Sequence, residues 1–140
     1  MIKRTSKWTW RSIAIGTLFL GITALGVGVL AQTQLSYTQA QVDLGKTTYS
    51  AQCVMCHGAQ LQGVSGPALA GDKFLKKWGR NTLDDFYYIM STSMPQTNPG
   101  SLSKDQYLAI EAYVLDTNGF KAVGDKSLAQ EDLKSFKFTK

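Results

Sequence analysis

The pentapeptide Cys53-Val54-Met55-Cys56-His57 contains both cysteines and the single histidine of this 140-residue chain. Any chemistry that needs a thiol or an imidazole must therefore use this segment. The count excludes a framework of several disulfides and an iron–sulfur cluster held by four cysteines. It also excludes a Ser-His-Asp type triad unless His57 is its base.

The spacing Cys-x-x-Cys-His is the attachment pattern of c-type haem. Each thiol can form a thioether with one vinyl group of the porphyrin, and the adjacent imidazole then becomes an axial ligand of the iron. The alternatives are weaker. A thioredoxin-like dithiol belongs in a βαβ context that this sequence lacks, a structural zinc ion needs four ligands, and a plain disulfide leaves His57 unexplained. We therefore predict one haem c, attached through Cys53 and Cys56, with His57 on the iron.

The iron of such a haem either takes a sixth ligand or keeps that position open, which separates electron transfer from ligand chemistry. Met1 belongs to the basic amino terminus and Met55 stands between the two cysteines. Met90 continues the apolar pattern of a short helix, which is typical of a core residue. Met94 precedes Pro95, which favours an extended backbone and can hold the sulfur toward a partner. We predict Met94 as the second ligand, with Met90 or an open site as alternatives.

Three further residues are candidates for contact with the haem. A carbonyl in the Gly66-Pro67 segment can accept a hydrogen bond from the second ring nitrogen of His57, although Pro67 can equally be a simple loop stiffener. Trp78 and Arg80 can offer an indole N–H and a guanidinium to the haem propionates. An ordinary core tryptophan and a solvated arginine explain these two residues as well.

The amino terminus has the composition of an export segment. Residues 1–11 contain four basic residues, and residues 13–31 contain no charged residue. Cleavage near Ala31 and anchoring in the inner membrane through residues 13–31 both fit this pattern. In either case the positive-inside rule places the residues after Ala31 on the periplasmic side.

The net charge of +5 does not indicate a nucleic-acid partner. Four of the 15 basic residues belong to the amino terminus, and the first acidic residue is Asp43, so the rest of the chain is nearly neutral. We therefore expect no binding to nucleic acid and no strong steering of partners by net charge.

Helix signals dominate the exported part, and no strand-period run of useful length occurs. Thr38 with Gln41 predicts a capping box for a helix that runs toward Cys53. Similar patterns at Thr82 and Ser103 predict a helix of about two turns and a longer, clearer helix. Glycine and proline predict loops over residues 58–77 and 91–100, and a weak helix is predicted near residues 128–133. The predicted fold class is all-α with long loops.

These residues together resemble class I c-type cytochromes over about residues 42–119. Gly45 and Tyr49 look like the contacts by which the first helix of that family crosses the last one, near Tyr113. The segment around Pro67 is similar to the family's proline loop, whose carbonyl accepts from the ligand histidine. Met94-Pro95 looks like its distal methionine loop.

A narrower resemblance, over residues 94–120, is to the cytochromes that accept electrons from periplasmic quinoprotein dehydrogenases. The family resemblance implies a small cytochrome c-like helical domain wrapped round one covalently bound haem. The predicted organisation is a signal peptide or membrane anchor, a connector, a cytochrome c domain and a carboxyl-terminal tail, over residues 1–31, 32–41, 42–120 and 121–140.

The leading interpretation is an electron-transfer protein, not an enzyme, that passes single electrons between extracytoplasmic redox partners such as a periplasmic dehydrogenase and a terminal oxidase. A second hypothesis is the haem-bearing subunit of a membrane-associated dehydrogenase or oxidase complex, with Phe120, Phe136 and Phe138 as an apolar interface patch. A third is an open-site haem enzyme or gas sensor.

Overall fold

Five α-helices and one 3-10 helix form the regular structure in the computed structural model, which describes residues 34–122 and 124–139. Within these residues no strand is present, and the prediction of a mostly helical domain is confirmed. The predicted export or anchor segment, residues 1–31, lies outside the described residues. None of the helices described is long and apolar enough to cross a membrane. The α-helices are α1 (Gln39–Gln52), α2 (Val54–His57), α3 (Asp72–Trp78), α4 (Leu83–Ser93) and α5 (Lys104–Thr117), and the 3-10 helix is Gln130–Ser135.

Thr38 caps α1 by accepting a hydrogen bond from the backbone N–H of Gln41 at 3.1 Å. The second half of the predicted capping box is wrong, because the Gln41 side chain turns to the backbone of Leu128. Its amide nitrogen donates to the Leu128 carbonyl at 3.0 Å, and its oxygen accepts from the Leu128 N–H at 2.8 Å. The start of α1 therefore fastens the carboxyl-terminal segment to the domain.

The other two capping predictions are confirmed. Thr82 and Asp85 form a complete capping box at α4, and Ser103 and Gln106 form one at α5. Each box satisfies backbone N–H groups that a helix start leaves without partners. With 11 residues, α4 is a turn longer than predicted. The weak helix expected near residues 128–133 is a 3-10 helix displaced by two residues.

The prediction of a continuous loop through residues 58–77 is wrong, because it includes most of α3. This helix begins after Gly71 without a side-chain cap. The backbone N–H of Gly71 instead donates to the side-chain oxygen of Asn118, at the end of α5 (3.0 Å). The buried side chain of Phe74 then fixes the helix against the core. Both contacts are long-range, so no local sequence signal marks the start of α3.

The contact between α1 and α5 leaves no space for a side chain at Gly45. A Cβ atom there would lie 1.9 Å from the Ala109 carbonyl oxygen and 2.9 Å from Cβ of Tyr113. Four residues along α1, the Tyr49 ring meets the Tyr113 ring edge-on, with centroids 5.5 Å apart. The crossing implied by the family resemblance is confirmed, and it allows the two helix backbones to pack directly against each other.

The carboxyl-terminal segment contributes to the core, which corrects the predicted apolar interface patch. Phe138 and Phe120 are buried, and Phe136 is partly buried against the same core. The Phe138 ring lies edge-on to Phe74 at 5.0 Å and to Phe86 at 5.4 Å. These side chains close the domain instead of forming an exposed surface.

One ionisable side chain in this core has no hydrogen-bond partner among the described residues. Glu111 of α5 is 0% exposed, and both of its carboxylate oxygens lack hydrogen-bond partners within the described residues. Burial, and then the nearby Asp84 carboxylate, raise the pKa of Glu111 well above its usual value of 4.5. Because burial disfavours the charged form, the folded protein retains a proton here that the unfolded chain releases.

We predict that this proton makes the free energy of unfolding fall as pH rises from 4.5 toward the native pKa of Glu111. The limiting slope for one group is about 1.4 kcal/mol per pH unit. Glu111→Gln should remove this dependence, because glutamine cannot titrate. Denaturant unfolding of the intact protein between about pH 5 and pH 8 measures the slope. The same change at the exposed Glu131 is the control, and equal slopes in both variants would contradict the prediction.

Candidate functional site

The Cys-x-x-Cys-His motif forms one helical turn directly after α1. The Cys53 carbonyl accepts hydrogen bonds from the backbone N–H groups of Cys56 (3.2 Å) and His57 (3.0 Å). Both cysteines are free, with Cys53 half-buried and Cys56 exposed. Residues three positions apart are neighbours on a helix surface, so the turn presents the two thiols on one side. This arrangement suits attachment to two points on one edge of a cofactor.

His57 is oriented by the carbonyl of Pro67. The ring is 8% exposed, and its Nδ1 atom lies 2.7 Å from the Pro67 oxygen. Because a carbonyl only accepts hydrogen bonds, Nδ1 carries a proton, and in the neutral ring Nε2 is then the nitrogen with the lone pair. In the part of the chain that is described, Nε2 forms no hydrogen bond. The ring therefore has one nitrogen fixed and the other free to bind a metal ion.

The loop that contains Pro67 folds back on the motif. The Cys56 carbonyl accepts from the N–H groups of Val64 (3.0 Å) and Gly66 (2.9 Å), and the His57 carbonyl accepts from Gly63 (2.7 Å). A Cβ atom on Gly66 would lie 3.0 Å from Cε1 of His57, closer than side chains normally approach. The glycine therefore lets the backbone pass beside the imidazole and brings the Pro67 carbonyl within reach.

A buried hydroxyl holds the other end of the turn. The Tyr49 hydroxyl donates to the carbonyl of Gly58, the residue after His57, at 2.6 Å. Burial raises the pKa of Tyr49, which keeps the hydroxyl protonated as a donor. The sequence indicated Tyr49 only as a packing residue. This second role was not predictable, because the hydroxyl reaches its acceptor across the α1–α2 bend.

Burial, and to a smaller extent the nearby Cys56, raises the pKa of the Cys53 thiol to about 11. A redox-active Cys-x-x-Cys dithiol needs the opposite shift, because the thiolate is the reactive form. The protonated Cys53 thiol therefore argues against a thioredoxin-like function.

Met94 lies immediately after α4 with the extended backbone expected before Pro95, at φ −123° and ψ 153°. Its side chain is partly buried against the core. The Met94 carbonyl accepts from the Tyr107 hydroxyl at 2.7 Å and from the Gly100 N–H at 3.2 Å. Met90 is 8% exposed within α4 and belongs to the hydrophobic core.

The structure places Trp78 and Arg80 at and just after the end of α3. The Trp78 ring packs edge-on against Phe86 at 5.0 Å, and the ammonium group of Lys77 lies 5.6 Å from its centre. Arg80 is exposed. Among residues 34–122 and 124–139, neither the indole N–H nor the guanidinium forms a hydrogen bond or ion pair. Direct contacts thus join the motif to Pro67, whereas Met94, Trp78 and Arg80 are held by other parts of the fold.

The side chains of the Cys-x-x-Cys-His motif fit a covalently bound haem. The motif offers two free thiols on one turn and an imidazole whose Nε2 atom is uncommitted. No group of three or more histidine, cysteine or carboxylate side chains in the described residues is arranged to hold a metal ion. A structural zinc site therefore does not explain the motif.

Curated relatives are cytochrome subunits. The cytochrome bc1 complex cytochrome c subunit of Corynebacterium diphtheriae is 30% identical over 143 residues, which covers 89% of this chain and 49% of that protein. The corresponding subunit of Corynebacterium efficiens is 31% identical over 150 residues, covering 91% and 48%. The chain therefore spans about half the length of the curated relatives that it matches.

A solved structure supports the same fold. The crystal structure of the sulfane dehydrogenase SoxCD from Paracoccus pantotrophus aligns with a TM-score of 0.56 and 28% sequence identity. The alignment covers 86% of this chain and 68% of that one.

Residues 40–114 match the sequence profile of the family described as cytochrome C oxidase, cbb3-type, subunit III. Because this match includes more than half of the chain, the protein belongs to that family and is a class I c-type cytochrome, whose family cofactor is covalently bound haem c.

Proposed function

We propose that the protein is a single-haem electron carrier. Cys53 and Cys56 would form the two thioethers, and His57 and Met94 would ligate the iron. The 140 residues contain one Cys-x-x-Cys-His motif, which supports one haem. No catalytic acid or base is assigned, because the only histidine is committed as a ligand.

The observation that carries this proposal is the hydrogen bond between His57 Nδ1 and the Pro67 carbonyl at 2.7 Å. It selects the tautomer in which Nε2 can bind iron, and it fixes the orientation of the imidazole ring. A hydrogen bond on the distal nitrogen of a ligand histidine also makes the ring a stronger donor to the metal. The same contact makes Pro67 a positioning residue for the proximal ligand.

The bound haem supplies reversible one-electron chemistry at its iron. With His57 and Met94 both bound to the iron, oxygen and other small ligands would find no open site. A thioether ligand raises the reduction potential of the iron relative to harder donors, which suits Met94 to a carrier. Trp78 and Arg80 are proposed to donate to the haem propionates, because both keep free N–H groups among the described residues.

We propose that the carrier acts on the periplasmic side, soluble after cleavage near Ala31 or anchored through residues 13–31. Its partners are a redox donor and a redox acceptor, such as a periplasmic dehydrogenase and a terminal oxidase. The nearly neutral charge of the residues after Ala31 favours partners recognised by local contacts more than by net charge.

A second candidate function is that of a haem-bearing subunit within a larger oxidoreductase complex. The similar proteins favour it, since two are cytochrome c subunits of the cytochrome bc1 complex and a third is the sulfane dehydrogenase SoxCD. The haem site is the same in both proposals. They differ only in whether the domain stays bound to its partner.

The covalent tether is tested by extracting the exported, denatured protein with acidified organic solvent. We expect the haem to stay with the polypeptide, because each thioether is a covalent bond. The pyridine haemochrome spectrum of the protein should be that of a haem in which both vinyl groups have become thioethers. Cys56→Ala should leave one vinyl group unsaturated and shift that spectrum. Haem that extracts freely from the unaltered protein would contradict the proposal.

The axial assignment is tested by comparing Met94→Ala with Met90→Ala. We expect the methionine-to-iron charge-transfer band of the oxidised protein to disappear only in Met94→Ala, and the ferrous form of that variant to bind carbon monoxide. Met90→Ala should retain the band while losing about 2–5 kcal/mol of stability, as large-to-small changes in a core do. The assignment fails if the band survives Met94→Ala and disappears in Met90→Ala.

Carrier and subunit are distinguished by gel filtration of gently solubilised native membranes and of the periplasmic fraction, followed by haem staining. A carrier should elute as a small monomer. A subunit should co-elute with a dehydrogenase or oxidase activity at high mass. High salt should not release it, because an interface stable enough to isolate is mainly apolar. Readily bound carbon monoxide in the unaltered protein would point instead to an open-site haem enzyme or sensor.

A further inference from the structure

We infer that Tyr107 is a positioning residue for the distal ligand and acts through the backbone of Met94. The inference rests on the proposed axial role of Met94. It assigns a function to a buried hydroxyl at the start of α5.

The Tyr107 hydroxyl closes the loop that follows α4. It donates to the Met94 carbonyl at 2.7 Å and accepts from the backbone N–H of Leu102 at 3.4 Å. One oxygen atom therefore joins the first and the last part of the segment between α4 and α5. The Gly100 N–H reaches the same Met94 carbonyl at 3.2 Å, so the loop is held at its ligand-bearing residue from two directions.

The ring that carries this hydroxyl has a fixed position. Tyr107 is 3% exposed and lies in the first turn of α5, directly after the capping box at Ser103. Its ring meets Tyr87 of α4 edge-on, with centroids 6.4 Å apart. A tyrosine has only two side-chain torsions to fix, and both are restricted here by packing. The hydroxyl is thus a rigid support for the Met94 backbone.

The same support extends to the proximal side through the contact between α1 and α5. On α1, the Tyr49 hydroxyl donates to the carbonyl of Gly58, beside His57. On α5, the Tyr107 hydroxyl donates to the carbonyl of Met94. The direct contact at Gly45 fixes the two helices to each other. Each ligand-bearing segment is therefore tied by a buried tyrosine to one half of a single rigid helix pair.

This arrangement has a measurable consequence for ligand exchange. An exogenous ligand binds ferric iron only when the Met94 side chain leaves it, and the loop must move for that to happen. Loss of a neutral hydrogen bond that restrains the loop should raise the equilibrium constant for ligand exchange about three- to tenfold. A hydroxyl that serves packing alone would change the unfolding temperature without changing this equilibrium.

The experiment compares Tyr107→Phe with Tyr37→Phe in the full, haem-loaded protein. Both changes remove one hydroxyl from a buried ring, and the Tyr37 hydroxyl donates to the Phe120 carbonyl, away from the Met94 loop. The probe is imidazole, titrated into the ferric protein and followed by loss of the methionine-to-iron charge-transfer band. The thermal unfolding of each variant is measured in parallel with the titration.

We expect Tyr107→Phe to bind imidazole about three- to tenfold more tightly than the unaltered protein, and Tyr37→Phe to bind it with unchanged affinity. Both variants should unfold at lower temperature. Equal imidazole affinity in the two variants would overturn the inference. Met94→Ala separates this failure from failure of the proposed ligation. If that variant keeps the charge-transfer band, the axial assignment itself is wrong, whatever Tyr107→Phe does.

Discussion

The direct contact between α1 and α5 is the constraint on which the rest of the domain depends. It requires a residue without a side chain at Gly45, because a Cβ atom would overlap the Ala109 carbonyl. Overpacking a well-packed core typically costs about 1–3 kcal/mol, and here the added Cβ atom would meet backbone, which cannot turn aside as a side chain can. The carboxyl-terminal segment is fastened to the same pair, through the two hydrogen bonds between Gln41 and Leu128. A small domain with long loops thus gains one rigid element against which the remaining segments pack.

The candidate haem site uses this element to support loops that have little regular structure of their own. The proximal turn is held by Tyr49 from α1 and by the Pro67 carbonyl, and the Met94 segment is held by Tyr107 from α5. All three contacts are hydrogen bonds between a side chain and a backbone carbonyl. Such contacts fix where the segments that contain the proposed ligands lie, without occupying the ligand atoms themselves. The proposed carrier function benefits, since small structural change between redox states lowers the barrier to electron transfer.

Local sequence signals predicted the elements whose causes are local. The caps at Thr82 and Ser103 lie where their patterns indicated, because a capping box needs residues only three positions apart. The missed helix α3 has no such signal and begins through a contact between Gly71 and Asn118. The sequence hypothesis makes Phe120, Phe136 and Phe138 an apolar interface patch, yet the carboxyl-terminal segment folds back and buries Phe120 and Phe138. In both cases the decisive partner lies far away in the sequence.

The amino-acid sequence by itself determined the chemistry, because two cysteines and one histidine confined to residues 53–57 leave one plausible cofactor. It also determined the helical class, through periodicity and caps that act over one or two turns. Only the tertiary structure decided which backbone carbonyls hold the segments that contain the proposed ligands and which carboxyl group is buried. The hydroxyl of Tyr107 and the carboxyl group of Glu111 stand one turn apart on the same helix, yet one is paired and the other is not. That difference depends on what the fold places opposite each side chain, which no local pattern encodes.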